Sequence, residues 1–554
     1  MTKSHDGYFS ASVEGVEPGT AYSYHVDGKG PFPDPASRYQ PNGVHGPSVV
    51  VDPNGYQWHD AEWIGIALQD AVFYEIHAGA FTPEGTYQAA ARKLPYLKEL
   101  GITAVEFMPL SDFPGDRNWG YDGVAPFAPA RCYGSPDDLR SFVDQAHQLG
   151  IAVFVDVVYN HFGPDGSYQS NFSSHYFTKH HRTPWGDGIN YDDTLCKPVR
   201  HYVIENALRW IHEYHLDGLR LDATDTIKDD SPRHILTDLN AAVLKASTEL
   251  GRRVHLIAED SRNLAAILRP ESADGFGFAG VWADDFHHQM RRTLAGDTDG
   301  YFASVDGSVP SIAKTVKRGW WRGTSDPAGV HYSQFVYCIQ NHDQIGNRAL
   351  GDRLDRSMDW AVYRAATALL LLLPQTPLLF MGQEWAASTP FLYFTDHHAE
   401  LGRAVTEGRR KEFAGFAAFS HAEIPDPQSS DTFRASKLQW EERTKGPHSY
   451  MLNLYKSLVA LRKTIPDRGL CSPELCVEAL DEDTLLLQRA GVSVVIRLCN
   501  RGNTEVRFGE PIWNSEDPQF APDSQPIQVD RAKSLVTFSR PGAIVFRTSE
   551  QEGA

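Results

Sequence analysis

Cysteine is scarce in this 554-residue chain: six residues, none in the paired spacing of a zinc site. That argues against a disulfide framework or a structural zinc and favours free thiols in a reducing compartment. Positive charge is also in deficit, with 52 Lys and Arg against 71 Asp and Glu and a formal net charge of −19. Phosphate-bearing surfaces would be repelled, so neither nucleic acid nor a membrane is an expected partner. A long uninterrupted apolar run is missing too. The nearest approach, Ala361 to Met381, holds the consecutive leucines Leu369 to Leu373. Arg364, Pro374 and Pro377 divide it into a buried helix and a following strand rather than a membrane span. Repeats and low-complexity tracts are absent, and Met1 to Gly7 lack the apolar run of a secretion signal, so a cytoplasmic protein is expected.

What is present describes a soluble globular chain, 41% hydrophobic and 22% charged, long enough for two to four domains. Residues 1–65 alternate in short antiparallel pieces such as Tyr8 to Val13, Ala21 to Val26 and Ser48 to Val51, too few for a free-standing sandwich. They read as a partial, carbohydrate-binding-like β module that leans on the next domain. Residues 66–469 change to short apolar strands separated by helical stretches, beginning with Val72 to His77, Ile102 to Met108 and Ile151 to Val158. Gly218 to Asp222, Val254 to Glu259, Gly280 to Trp282, Phe335 to Gln340 and Pro377 to Met381 follow. Eight buried strands alternating with helices such as Tyr87 to Leu100, Pro136 to Leu149 and Val199 to His215 form the pattern of an α/β (β/α)₈ TIM barrel. An open doubly wound sheet is the weaker alternative. An insertion at about 161–197 is rich in Gly, Asp, Ser, His and aromatics and is expected to be a lid or binding loop. The charged run Glu407 to Glu412 reads as a solvated helix face, and residues 470–554 as a C-terminal β-sandwich.

Within this frame, Gly218-Leu219-Arg220-Leu221-Asp222-Ala223 sets a guanidinium and a carboxylate on one face of a strand otherwise built for burial. Alone it describes a structural ion pair as well as a site. Other strand ends carry similar groups: His77; Asp156, Asn160 and His161; Glu259; Asp284 and Asp285; His342 and Asp343; Glu384. In a barrel these converge on one rim. Acids crowded around one pocket repel one another and raise at least one pKa, as cleavage of a glycosidic bond requires. The same residue types also describe a divalent-cation site.

Asp156-Val157-Val158-Tyr159-Asn160-His161, Gly218 to Ala223, Ala258-Glu259 and Asn341-His342-Asp343-Gln344 resemble, in order and spacing, the four short sequence regions of the α-amylase family of retaining glycoside hydrolases. The resemblance implies that Asp222 is the nucleophile, Glu259 the general acid/base and Asp343 the carboxylate that steadies the transition state. It implies that Arg220 orients Asp222, that His161 and His342, with His77, contact sugar hydroxyls, and that Tyr121 stacks under the sugar ring. No cofactor or metal ion is expected.

Four further stretches, Asp34 to Pro41, Gly43 to Ser48, Trp282 to His288 and Pro390 to His397, are similar to one subfamily, the maltooligosyltrehalose trehalohydrolases. That likeness implies a maltooligosyl-trehalose substrate, release of trehalose, and action downstream of a maltooligosyltrehalose synthase. Asp285, His287, Gln344 and Asn347 are then candidate contacts to the leaving group. The alternatives are a branching enzyme or α-amylase-like hydrolase with the same chemistry, and a catalytically silent carbohydrate-binding protein, which the presence of all three acids disfavours. Asp225 departs from the family pattern, which commonly has histidine there, and faces either the leaving group or else solvent or a cation. The β module also begins partway through its usual extent.

Overall fold

The computed structural model describes residues 1–4, 8–322, 329–413, 424–465, 475–489 and 491–547. Its centre is a closed barrel of eight parallel strands: β1 (Phe73–Ile76), β2 (Ala104–Phe107), β3 (Ala152–Val157), β4 (Gly218–Leu221), β5 (His255–Glu259), β6 (Gly280–Trp282), β7 (Phe335–Tyr337) and β8 (Thr376–Phe380). Closure excludes the open-sheet alternative. All eight expected strands form, because they are mostly apolar and buried on both faces, covered by helices outside and side chains within.

Register then decides which polar residues meet. Asp156 pairs with Arg220 across β3 and β4, Glu259 with Trp282 across β5 and β6, and Glu75 with Glu106 across β1 and β2.

The expected helix from Tyr87 to Leu100 is two helices, Tyr87–Ala91 and Leu94–Leu100. Pro95 lies in the first turn of the second, where its missing N–H costs nothing, and Gly101 at φ 97° closes it with N–H bonds to Leu97 and Lys98. The leucine-rich run forms helix Trp360–Leu372 followed by β8, as its prolines require. Among the described residues no helix is long and apolar enough to cross a membrane.

The insertion holds an antiparallel hairpin, Phe177–Thr183 with Gly186–Ile189. Its first strand, Phe177-Thr178-Lys179-His180-His181-Arg182-Thr183, is polar on both faces, so the two-residue period that identifies strands is invisible in the sequence. The N-terminal residues form short antiparallel ribbons, Tyr24–Val26 with Lys29–Phe32 and Ala21–Tyr22 with Ser48–Val49. They rest on the barrel side through Tyr202 Oη donating to Pro35 O at 2.5 Å and Arg38 paired with Glu213 at 2.7 Å.

At the C-terminus a five-stranded antiparallel sheet faces a three-stranded one. Leu486, Val495, Ile544 and Phe546 from the first enclose a core with Val536 and Phe538 from the second. Leu485, Leu487, Val494 and Val545 point the other way, into the core shared with the barrel helices. Arg364 and Glu516 seal that contact with a buried ion pair at 2.6 Å. The boundary expected at 469/470 and Cys471 lie outside the described residues; the other five cysteines are free.

Candidate active site

Arg220 is the hub of the barrel mouth. Its guanidinium is 1% exposed and lies over the Trp282 ring at 4.2 Å. Nη1 donates to Asp156 Oδ2 at 2.5 Å and to Asp222 Oδ1 at 3.2 Å, while Nη2 pairs with Glu259 Oε2 at 2.9 Å. A buried cation is tolerated only with such compensation, and the planar fork allows one side chain to hold three carboxylates. The second oxygen of Asp222 accepts from Asn160 Nδ2 at 2.8 Å, so both of its oxygens are oriented. Ala223, at φ 40°, ends β4 in a left-handed turn that aims its N–H at Glu259 Oε2, 2.9 Å away. Thr224 Oγ1 donates to Glu259 O at 2.8 Å, lacing the ends of β4 and β5 together.

The acids around this hub differ electrostatically. Burial and the charge of Asp222 raise the Glu259 pKa against the pull of Arg220. Burial and Glu259 raise Asp343, with His342 opposing. Asp284 is pushed to about 8 by burial, Glu259 and Asp343. The pocket therefore sets acids that hold their protons more tightly than usual, Asp284 to about 8, beside Asp222 gripped by a cation, the division of labour that acid-assisted displacement needs.

A second layer frames the mouth. Tyr121 Oη lies 2.7 Å from Asp156 Oδ2 and 2.8 Å from His342 Nε2, and its ring stacks on His342 at 5.4 Å. Both ring nitrogens of His342 thus face protein groups, Nδ1 being bonded to Glu75. His161 donates from Nδ1 to Asn160 Oδ1 at 2.5 Å, and burial lowers its pKa. Trp185, at the hairpin tip, lies over the His161 ring at 4.8 Å and 19° and is 52% exposed.

Residues 51–187 match the family model described as the alpha amylase catalytic domain. A Malto-oligosyltrehalose trehalohydrolase from Deinococcus radiodurans is 51% identical over 479 residues, 84% of this chain and 78% of that protein. The chain belongs to the malto-oligosyltrehalose trehalohydrolase family. A trehalohydrolase from Saccharolobus solfataricus is 40% identical over 549 residues, 96% of this chain and 92% of its own length. A Salmonella typhimurium crystal structure named as an alpha amylase superposes with a TM-score of 0.88 at 37% identity, over 99% of this chain and 94% of that one.

In this trehalohydrolase-family chain the remaining expected contacts lie at different depths. His77 is 1% exposed; Nδ1 accepts from Ala80 N at 3.1 Å and Nε2 lies 2.8 Å from Asn118 O, so the ring braces the turn that carries Tyr121. Burial lowers its pKa to about 4, which keeps it neutral. Asp285 accepts at Oδ2 from Asn263 Nδ2 at 2.9 Å, Trp321 N at 2.8 Å and Arg322 N at 2.7 Å, and so holds two loops together. His287, on helix Asp284–Leu294, is 1% exposed, and burial puts its pKa well below the ordinary value. Asp225 accepts from Ser261 Oγ at 2.5 Å on a half-buried turn. Gln344 is buried in the helical turn His342–Gly346, and Asn347 at its end donates to Asp343 Oδ1.

Four contributors escaped the sequence reading. Glu75 looked like an ordinary strand residue, Asp284 was noted without a role, and Trp185 sits in a stretch with no period. Arg409 belongs to the run expected to be solvated; its side chain is 10% exposed and turned inward, donating to Asn347 Oδ1 at 3.1 Å. Its neighbours Glu407, Arg410, Lys411 and Glu412 are exposed, as expected. Among the described residues one group, His181, Asp192 and Asp230 on the insertion and the loop after β4, has donor atoms within 4.8 Å of one another and could hold a cation.

Proposed function

We propose that the chain hydrolyses the α-1,4 bond between a maltooligosaccharide and a terminal trehalose unit by double displacement, with retention. Asp222, oriented by Arg220 and Asn160, attacks the anomeric carbon while Glu259 delivers its proton to the departing trehalose oxygen. Glu259, now a carboxylate, takes a proton from water, which attacks the glycosyl-enzyme and frees the maltooligosaccharide. Asp343 binds hydroxyls of the reacting sugar and steadies its cationic transition state, with Asn347 holding the carboxylate. Trp185 and His161 present a flat surface on which a further glucose unit stacks.

The observation that carries this reading is the pairing of Asp222 and Glu259 by one guanidinium, with Asn160 orienting Asp222 and burial raising the pKa of Glu259. One oriented nucleophile and one proton-bearing acid on a single rim is what the reaction needs. A substrate ending in trehalose must come from an enzyme that isomerises the reducing end of a glucan, and a maltooligosyltrehalose synthase is the partner upstream. Five free thiols support a cytoplasmic location.

Incubation with maltopentaosyl-trehalose and assay of free trehalose tests the assignment. Trehalose with retained configuration in the maltopentaose product is expected. Glucose or maltose without trehalose, or transfer to a branched glucan, would overturn it.

A further inference from the structure

Glu75 is a carboxylate buried inside the barrel, 2% exposed, on a strand whose other residues are apolar or aromatic. Such a group is costly unless its position serves something. Both oxygens are directed at one residue: Oε2 accepts from His342 N at 3.0 Å, and Oε1 accepts from His342 Nδ1. The Nδ1 proton is therefore fixed on the Glu75 side.

The state of Nε2 follows from counting protons. Tyr121 has one hydroxyl proton and three polar neighbours, Asp156 Oδ2 at 2.7 Å, His342 Nε2 at 2.8 Å and, at 3.5 Å, Arg220 Nη1, which can only donate. Arg220, a permanent cation without acceptors, donates to the same Asp156 oxygen at 2.5 Å, which makes that oxygen an acceptor. Tyr121 spends its proton as the donor to Asp156 Oδ2 at 2.7 Å. The Tyr121 oxygen must then accept from His342, and Nε2 carries a proton as well.

We propose that Glu75 is a positioning residue for the hydrolysis: it holds His342 as an imidazolium whose charge faces Asp343 and Glu259 and whose Nε2–H locks Tyr121 onto Asp156. The electrostatics agree. Burial disfavours the charged ring, yet Glu75 and Asp343 outweigh it and raise the His342 pKa. The positive ring in turn lowers the pKa of both Asp343 and Glu259. The groups facing His342 are Glu75 on β1, Tyr121 on the loop after β2, Arg220 on β4, Glu259 on β5 and Asp343 beside it, with His77 farther off. Glu106, the β2 neighbour of Glu75, is held up at about 8 by burial and by Glu75 and so adds no second negative charge near neutrality. This role rests on the hydrolysis assigned above.

The test is the pH dependence of kcat and KM for Glu75→Gln and Glu75→Asp in the full chain, on maltopentaosyl-trehalose and in parallel on maltopentaose, so that a profile is obtained whichever glucan is cleaved. Glu75 itself raises the Asp343 pKa, but the His342 charge lowers it by more, so without the imidazolium Asp343 is harder to ionise. Glu75→Gln should lower kcat by about tenfold or more with a smaller change in KM, and move the acid limb of kcat/KM up by about one pH unit, with Glu75→Asp recovering part of both. His342→Asn should move the limb in the same direction, and adding Glu75→Gln to it should cause little further loss. A Glu75 with only a structural role would leave the limb in place in Glu75→Gln, or give losses that add to those of His342→Asn, and either result overturns the proposal. If Glu75→Gln does not fold, an unmoved limb in His342→Asn overturns it equally. Cleavage of maltopentaose alone would remove the trehalose assignment while leaving Glu75 to be judged on its limb, and cleavage of neither glucan would remove both.

Discussion

Replacing Glu259 by Gln isolates the proton-transfer role from every other role of that side chain. Its Oε2 accepts from Ala223 N and from Arg220, both at 2.9 Å, and a glutamine carbonyl in the same place keeps both bonds. The amide nitrogen replaces the other oxygen in a side chain that is 23% exposed at the cleft, and a neutral amide stands where the proton-bearing acid stood beside Asp222, Asp284 and Asp343. Fold and ground-state binding are therefore preserved: the thermal midpoint should stay within about 2 °C, and KM within about threefold. Proton delivery is lost. General acid–base catalysis contributes about a hundred- to ten-thousandfold, equivalent to about 3 to 5 kcal/mol of barrier, and kcat for trehalose release should fall by that factor. The pH profile gives a second reading. Glu259 acts as an acid only while protonated, and burial and Asp222 raise its pKa, so kcat/KM should fall on the alkaline side as that proton is lost. The Gln variant should lack this limb. An aryl maltooligoside whose leaving group departs without protonation should react with a much smaller deficit, and azide should restore turnover by replacing the water that Glu259 no longer activates. Near-native kcat, or an alkaline limb that survives the substitution, would refute the role of Glu259.

Three other perturbations follow from the same geometry. Asp284 keeps its proton to about 8, and above that pH its charge helps to hold the Glu259 proton; Asp284→Asn should shift the alkaline limb of kcat/KM to lower pH while leaving activity on the acid side nearly unchanged, and an unmoved limb would show the two acids to be uncoupled. Trp185→Ala removes an exposed ring stacked on His161, so KM should rise about five- to tenfold with little change in kcat or thermal midpoint; an unchanged KM would exclude a sugar from that ring. Glu516 accepts from both Arg364 and Arg540, each at 2.6 Å, where the C-terminal sheets meet the barrel helices. Glu516→Leu strands one fully buried arginine and should cost about 3 to 5 kcal/mol in denaturant unfolding, whereas Arg364→Met leaves Glu516 still paired and should cost less; equal losses would contradict this account of the contact.

The barrel and its acids were legible in the sequence for one physical reason: strands covered on both faces must be apolar, so a charged residue within or just after one stands out. Asp156, Arg220, Asp222, Glu259 and Asp343 were all found that way, and the resemblance to the α-amylase family gave them roles. The same reasoning failed where a carboxylate has no second signal. Glu75 lies in the first strand, and nothing near it in sequence reveals that its partner is His342, 267 residues away. Composition misled where only one residue of a stretch behaves differently, as with Arg409, turned inward from an otherwise exposed run. Spacing is silent on burial: Asp285 is bonded to the amides of Trp321 and Arg322, and His287 is 1% exposed, neither of which a neighbouring residue reveals.

The sequence by itself determined the strands, their order and the residues able to do chemistry, because burial and local periodicity are written in neighbouring residues. Only the tertiary structure decided which of those residues share a proton or a charge. That depends on strand register, which sets Asp156 beside Arg220 and Glu75 beside Glu106, and on barrel closure, which pairs β1 with β8 and leaves Glu75 in reach of His342 after β7. It also depends on the turn at Ala223 that brings a backbone N–H to Glu259. Each is a relation between segments distant in the chain, and such relations leave no trace in either segment read alone.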